Sequence, residues 1–589
     1  MVSPERTLAA HNSLLAAIAV VAGVSLGGAL WGLTIEHPSS LISVYFLAVQ
    51  DAPVLWLVVA SLALAAVVVG KNWSGPTFGA IKPHIKPHLA SRLSWIAVAL
   101  ACCVIAAGVS PVCRNFGLSM DEFMADFDAT IIAAGKLLAP VAPDWGDFVP
   151  ALQPIFRLEL PENAYWVSSY LPMNAAIRAA FVLVHQPALE GVALAAVAMI
   201  ALIGVARRLW PDRPNATLVA VVLLASSSQF LITAMTPYAM TAHLALNLVW
   251  LWLFLRDTRS GHALAAGVAF VACGLHQVVF HPLFAAPFIA RLMIARRWKL
   301  AAYYVGVYGV IGLFWILYWS FLVRAAQVPM AQSADVGMLN FFERIASIFN
   351  LSVSGVLLMG MNLLRFVAWQ SPLVIPLALV GLFAGRERRA VMICLVAGIV
   401  LTLAAVQVLM PFQGHGWGYR YLHGFLGSLS LLAAQGWIYI TRRGAQAARA
   451  PAIALAASVA LAVFVLLPWH AMQVRAFVTP RATAVDAIEH SGADVVVVDP
   501  TDIWYGQDLV RNDPFLRARP KVLTLQRLDE ARLSELCRHY DVAMFDRADA
   551  QRFGIEIVKS QPQLADRNRK LRTLAKSLNC GRPVHDDLR

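Results

Sequence analysis

Apolar stretches long enough to cross a bilayer, about 20 residues each, recur along most of this chain. They read as spans near 13–35, 52–70, 92–112, 188–206, 215–235, 238–255, 263–280, 282–295, 300–323, 371–385, 390–410, 421–440 and 452–471. The expected fold class is therefore mainly α, a polytopic membrane protein with about 13 transmembrane helices. Composition agrees: the 589 residues are 59% hydrophobic and 14% charged, with mean hydropathy +0.65. Soluble proteins carry roughly 25% charged residues, so a soluble enzyme, a disordered chain and a fibrous one are excluded. The first span is too long for a signal peptide, lacks a clear cleavage site and is followed by further spans. Two more apolar stretches, 167–186 and 351–369, read as interfacial or re-entrant helices, and 338–350 as an amphipathic surface helix.

The net charge of +13 is explained by position. Lys71, Lys82, Lys86 and Arg92 share one loop, Arg207, Arg208 and Arg213 the next basic one. Arg256 with Arg259, Arg296 with Arg297 and Lys299, Arg386 with Arg388 and Arg389, and Arg442 with Arg443 and Arg449 follow. With these spans every basic loop falls on one side, which the positive-inside bias makes cytoplasmic. The N-terminus is then cytoplasmic, and nucleic acid is not the partner that the charge implies. The opposite side carries segment 113–166, with eight carboxylates (Asp121, Glu122, Asp126, Asp128, Asp144, Asp147, Glu159, Glu162) against Arg114, Lys136 and Arg157. A connector of this length is usually functional.

After about residue 475 the chain turns polar. ADVVVVD at 493–499, KVLTL at 521–525 and DVAMF at 541–545 read as buried strands, with helical periodicity over 482–490 and 528–540. This predicts a small α/β domain, external by span parity, in which Cys537 and Cys580 can form a disulfide. The expected organisation is a two-span extension over 1–91, a membrane core over 92–472 with the external loop 113–166, and an external domain over 473–589.

Three clusters carry candidate chemistry. Asp121 and Glu122 follow the 92–112 span directly. One of two adjacent carboxylates can act as general base toward a hydroxyl while the other orients the acceptor or holds a divalent metal; an acidic start to a helix, complementing its dipole, fits the same residues. The run Gln413-Gly414-His415-Gly416-Trp417-Gly418-Tyr419-Arg420-Tyr421 opens the 421–440 span on the external side. A guanidinium there matches phosphate oxygens, or pairs with a loop carboxylate. His276 and His281 stand at the external end of the 263–280 span, suited to a phosphate, a metal or an interfacial hydrogen bond; Arg324 and Arg365, on or near the same side, can meet an anionic lipid. IKPHIKPHL at 81–89 reads as an extended connector, and no Walker loop, dinucleotide fingerprint or zinc-protease motif is present.

The order of these features resembles the GT-C superfamily of integral membrane glycosyltransferases, in particular the branch with protein O-mannosyltransferases and the lipid A aminoarabinose transferase. The resemblance covers roughly 92–440. It rests on MDEFMADFDATIIAAGKLLAP after a span, on YWVSSYLPMNAAIRAAFVLVHQPALEGVALAAVAMI leading into the next, on the basic turn and span RRLWPDRPNATLVAVVLLASSSQFLITAMTPYAM, and on the late Gly418-Tyr419-Arg420-Tyr421. The chain departs from the family in three places. Two spans precede the usual first one, His276-Gln277 stands where a Lys is common, and the Pro that often follows the Arg-Tyr pair is absent.

The resemblance implies transfer, with inversion, of a sugar from a polyprenyl-phosphate donor to a lipid-linked glycan or protein acceptor in the periplasm of a bacterial inner membrane. Asp121 would be the base and Glu122 would orient the acceptor or a metal. Arg420 and Tyr421 would hold the donor phosphate, with His276, His281, His415 and Arg365 as further candidates. The resemblance makes no cofactor certain, and a divalent metal is possible. A multi-span transporter or flippase of a lipid-linked or anionic substrate would also explain the spans, although the hydropathy lacks the internal repeat common in transporters. An assembly protein anchored by so many spans is a third reading.

Overall fold

The computed structural model describes residues 4–37, 41–70, 86–153, 155–160, 163–325, 352–383, 388–442, 445–560 and 562–584. The stretch 338–350 and most of 81–89 lie outside them. The chain is mainly helical. Among the described residues seven helices are long and apolar enough to cross a membrane: Ala10–Leu33, Ile42–Gly70, Pro87–Cys113, Leu189–Leu209, Trp298–Ala325, Arg389–Leu409 and Ala448–Glu489. Shorter apolar helices include Pro214–Ala225, Met240–Arg256, Phe280–Ile294, Val353–Ala368 and Val374–Phe383.

The residues divide into two units. The first comprises Met1–Gly108, Ala188–Ile316 and Phe341–Gln473. Its helices are broken where polar or small residues interrupt the apolar runs. The predicted span 215–235 is two helices, Pro214–Ala225 and Ser228–Thr233; Ser227 caps the second by accepting the Phe230 N–H at 3.2 Å. The predicted span 421–440 begins as a 3-10 turn, Arg420–Phe425, and continues as the helix Leu426–Thr441. That helix meets Val374–Phe383 through glycines: a Cβ on Gly381 would lie 2.1 Å from the Leu432 carbonyl, and one on Gly436 would lie 2.0 Å from that of Leu377. Small residues of this kind let apolar helices approach closely where hydrophobicity alone provides no drive.

The second unit joins segments far apart in sequence: Val109–Pro187, Leu317–Asn340 and Val474–Arg589. Two short strands, β1 (Ala139–Pro140) and β2 (Tyr165–Trp166), pair antiparallel within the first segment. The C-terminal segment forms a four-stranded parallel sheet of β3 (Val495–Val498), β4 (Lys521–Thr524), β5 (Val542–Phe545) and β6 (Arg582–Pro583), in the order β4-β3-β5-β6. Parallel neighbours need crossover connections. The helix Glu530–His539 links β4 to β5, and Pro562–Ser577 lies between β5 and β6. Strands buried on both faces read as unbroken apolar runs, and Val495–Val498 shows why. Val495 and Val497 pack into a core with Phe127, Ile131, Phe148 and Trp166 of the first segment. Val496 and Val498 pack with Ala484, Val485 and Ile488. The acidic loop and the C-terminal region thus share one hydrophobic core. Cys537 and Cys580 form a disulfide.

Candidate active site

In the second unit the helix Met120–Ala133 starts with a capping box. Ser119 is the N-cap; its Oγ accepts the Glu122 N–H at 3.3 Å, and Glu122 Oε2 accepts the Ser119 N–H at 2.8 Å. The Ser119 hydroxyl also donates to Oε2 at 3.0 Å. Glu122 is fully buried, so this carboxylate is engaged in holding its own helix terminus. The residues do not fit a metal centre: Glu122 is occupied in this way, and among the described residues no group of three or more His, Cys, Asp or Glu could hold a metal ion.

Asp121 points differently. It is part-exposed, and its Oδ1 accepts a short hydrogen bond from the Tyr170 hydroxyl. Tyr170 is anchored in turn: its ring lies 5.4 Å from that of Phe156, and its N–H donates to Ser168 Oγ at 3.3 Å. Ser168 is fixed by Asp128, which accepts both its N–H, at 3.0 Å, and its hydroxyl. Asp126, five residues after Asp121 on the same helix, pairs with Arg178 at 2.5 Å. Chemically, the unit offers one carboxylate of fixed orientation at a helix N-terminus, supported by a tyrosine that sequence reasoning missed.

The C-terminal region also reaches this helix. Arg511 donates from Nη2 to the Leu118 carbonyl at 2.8 Å and from Nε to the Asp508 carbonyl at 2.9 Å. Its guanidinium lies 4.0 Å from the Phe116 ring centroid and 5.3 Å from that of Phe123, two residues that flank the Asp121-Glu122 pair in sequence. Burial pushes Asp508 up to about 7, against the pull of Arg511 and Arg481, and the charge on Asp121 adds to the rise. None of these partners could be found from spacing, since Leu118 and Arg511 are 393 residues apart.

Burial also pushes Asp128 up to about 7, although its bonds from Ser168 oppose the rise. A folded-state value above the unfolded one means that the favourable contribution is complete below about pH 4 and lost as pH rises through about 7. Asp508 titrates in the same window. Asp128→Asn should therefore leave protection of β3 and β5 in hydrogen-exchange mass spectrometry nearly unchanged at about pH 4, near the unfolded value. At pH 8 it should raise that protection by on the order of a few kcal/mol. Equal loss of protection at both pH values would show that Asp128 is folded as a carboxylate.

The first unit holds a small pocket lined by Met240, His243, Asn247, His276, Phe280, Arg420, Tyr421, Gly424 and Phe425. Its walls are apolar and aromatic; the Tyr421 ring stacks on Phe280 at 5.8 Å. Its polar groups converge from three segments. Arg420 is set by its own loop: its N–H donates to Gln413 Oε1 at 2.8 Å, and its guanidinium lies 5.0 Å from the Tyr238 ring. The loop needs two of its glycines. Gly418 adopts φ +72°, with Gln229 where a Cβ would stand, and a Cβ on Gly416 would lie 2.4 Å from Arg420 Cδ. Gln229 braces the same turn, donating to the Tyr419 carbonyl at 2.7 Å.

Asn247 donates to the Gly424 carbonyl at 3.1 Å, which leaves its Oδ1 to accept from His281 Nδ1 at 2.7 Å. His281 Nε2 then accepts from the Tyr308 hydroxyl at 2.9 Å. His281 is fully buried with both ring nitrogens engaged, so it orients Asn247 rather than facing an anion. His243 is also buried, and neither of its ring nitrogens has a hydrogen-bond partner.

The structure thus brings His276, Arg420 and Tyr421 together in one pocket and adds His243 and Asn247. Both additions lie one turn apart within the predicted span 238–255, where polar side chains are costly without a function. That was the available signal. His415 is buried near the loop and outside the pocket lining; its carbonyl accepts from the Tyr238 hydroxyl at 3.1 Å. Arg365 corrects the expectation of a lipid-facing cation. It is 2% exposed and bound to Asp51, from Nη1 to Oδ1 at 2.8 Å and to Oδ2 at 3.0 Å. A guanidinium this deeply buried requires a carboxylate partner, and here it has one inside the fold.

No protein-family model matches the sequence, and no curated protein does. Among solved structures the chain is similar to ArnT from Cupriavidus metallidurans bound to undecaprenyl phosphate. The match has 14% identity and a TM-score of 0.44, over 78% of this chain and 87% of that one. The apo state of the same protein matches at 14% identity and a TM-score of 0.40, over 79% and 88%. The Archaeoglobus fulgidus oligosaccharyltransferase, tethered to an acceptor peptide containing the NVT sequon, matches at 12% identity and a TM-score of 0.40, over 71% and 63%.

Proposed function

We propose that this protein is a membrane glycosyltransferase that moves a sugar from a polyprenyl-phosphate donor to an acceptor hydroxyl with inversion at the anomeric carbon. The observation that carries the reading is the Arg420 pocket. It combines a guanidinium, imidazole and amide groups with aromatic and aliphatic walls, the combination that an anionic head on an isoprenoid chain requires. Arg420 and His276 bind the phosphate and stabilise the charge left on it as the glycosidic bond breaks. Tyr421 and Phe280 form the wall beside it. Asp121, oriented by Tyr170, takes the proton of the attacking hydroxyl. Glu122 keeps Asp121 at the helix N-terminus, and His281 and Arg365 support the pocket from behind. No metal step is invoked.

The membrane is the bacterial inner membrane, with the N-terminus cytoplasmic and the acidic loop and C-terminal domain periplasmic. The acceptor is a lipid-linked glycan or a protein. The organisation is a two-span extension over 1–91, a transferase core over 92–472 and a periplasmic domain over 473–589. The pocket reading is tested with a polyprenyl phosphate carrying a photoreactive group beside its phosphate. Adducts are expected within 240–247, 276–280 and 420–425. Labelling confined to other segments would refute the assignment.

A further inference from the structure

The spans that precede the acidic loop have a specific link to Arg420. The helix Ala52–Gly70 is entered through a π-helical turn, Phe46–Asp51. Such turns are uncommon and often accompany functional sites. Asp51, at its end, is 1% exposed. Besides Arg365 it accepts the Trp369 indole N–H at 3.1 Å. The Arg365 guanidinium lies 3.7 Å from the Phe46 ring centroid, and its Nη2 donates to Gln50 Oε1 at 3.3 Å. The same Nη2 donates to the Gly416 carbonyl at 3.0 Å. Gly416 is the residue whose Cα lies against the stem of Arg420. A continuous series of contacts therefore runs from Asp51 through Arg365 and Gly416 to Arg420.

A buried ion pair adds little stability over well-packed apolar residues of the same volume. What this one supplies is direction. The carboxylate fixes the guanidinium through Nη1, and Nη2 then holds the peptide on which the Arg420 stem rests. We infer that Asp51, carried by the N-terminal pair of spans, is a positioning residue for Arg420 and so controls how tightly the pocket holds a lipid phosphate. This rests on the phosphate reading of the pocket.

The test measures equilibrium binding of polyprenyl phosphate to the full-length protein in lipid nanodiscs. Arg420→Ala should weaken binding, and Asp51→Asn should weaken it roughly 3- to 30-fold. The double variant should bind no more weakly than Arg420→Ala alone, because the effect of Asp51 passes through Arg420. A merely structural Asp51 would instead add its loss to that of Arg420. Gly416→Ala serves if Asp51→Asn does not fold: it leaves the ion pair intact, presses on the Arg420 stem, and should weaken binding by itself. Wild-type affinity in folded Asp51→Asn or in Gly416→Ala, or additive losses in the double variant, would overturn the inference. Wild-type affinity in Arg420→Ala would overturn the phosphate reading and the inference with it.

Discussion

Arg420→Ala is expected to weaken binding of a polyprenyl-phosphate donor by about 10- to 100-fold, the loss that accompanies removal of charge-assisted hydrogen bonds to an ion. The rest of the pocket explains why the loss is not larger. Its apolar walls, Met240, Phe280 and Phe425, and the groups His243, Asn247 and His276 remain, so the other contacts of the proposed donor would be kept. Arg420→Lys should recover only part of the affinity, because an ammonium cannot reproduce the planar fork of a guanidinium. Titration of the purified variants with polyprenyl phosphate checks this. Equal affinity in wild type and both variants would place the phosphate elsewhere.

Asp121→Asn is expected to reduce transfer by about 10²- to 10⁴-fold, the range that a general base contributes, while donor affinity stays within about twofold. The amide preserves the size of the side chain and an oxygen for the Tyr170 hydroxyl, so the loop keeps its fold. Glu122 provides the contrast. Its carboxylate closes the capping box, so Glu122→Gln keeps a group able to accept the Ser119 N–H and should retain most activity at a cost of about 1 kcal/mol in stability. A reversal, with Glu122→Gln inactive and Asp121→Asn active, would exchange the roles of the two acids.

Much of the architecture was legible because single-segment physics produces it. Apolar runs of bilayer length mark the long helices, and an unbroken valine run marks a strand covered on both faces. The helix Met120–Ala133 follows from Ser119 with Glu122 three residues later. Features that depend on distant partners were not legible. Arg365 looked like a lipid-facing cation because its partner, Asp51, is 314 residues away. The common core of the acidic loop and the C-terminal sheet has the same character. Each segment shows apolar residues, and neither shows which other segment covers them. Tyr170 gave no local signal, since an aromatic in a polar loop has many roles. His243 and Asn247 did give one, two polar groups one turn apart in an otherwise apolar helix, and reading the stretch as a uniform span concealed it.

In the proposed reaction a carboxylate takes a hydroxyl proton while a lipid-linked phosphate departs. The most direct measurement is a single-turnover experiment. Purified wild type and Asp121→Asn are loaded with a polyprenyl-phosphate sugar labelled in the sugar, then mixed with an envelope extract as the source of acceptor. Wild type should release polyprenyl phosphate as the label appears in a glycan or protein, whereas Asp121→Asn should retain the donor intact. Equal release by both proteins, or passage of the intact labelled donor across the membrane with no bond broken, would contradict it.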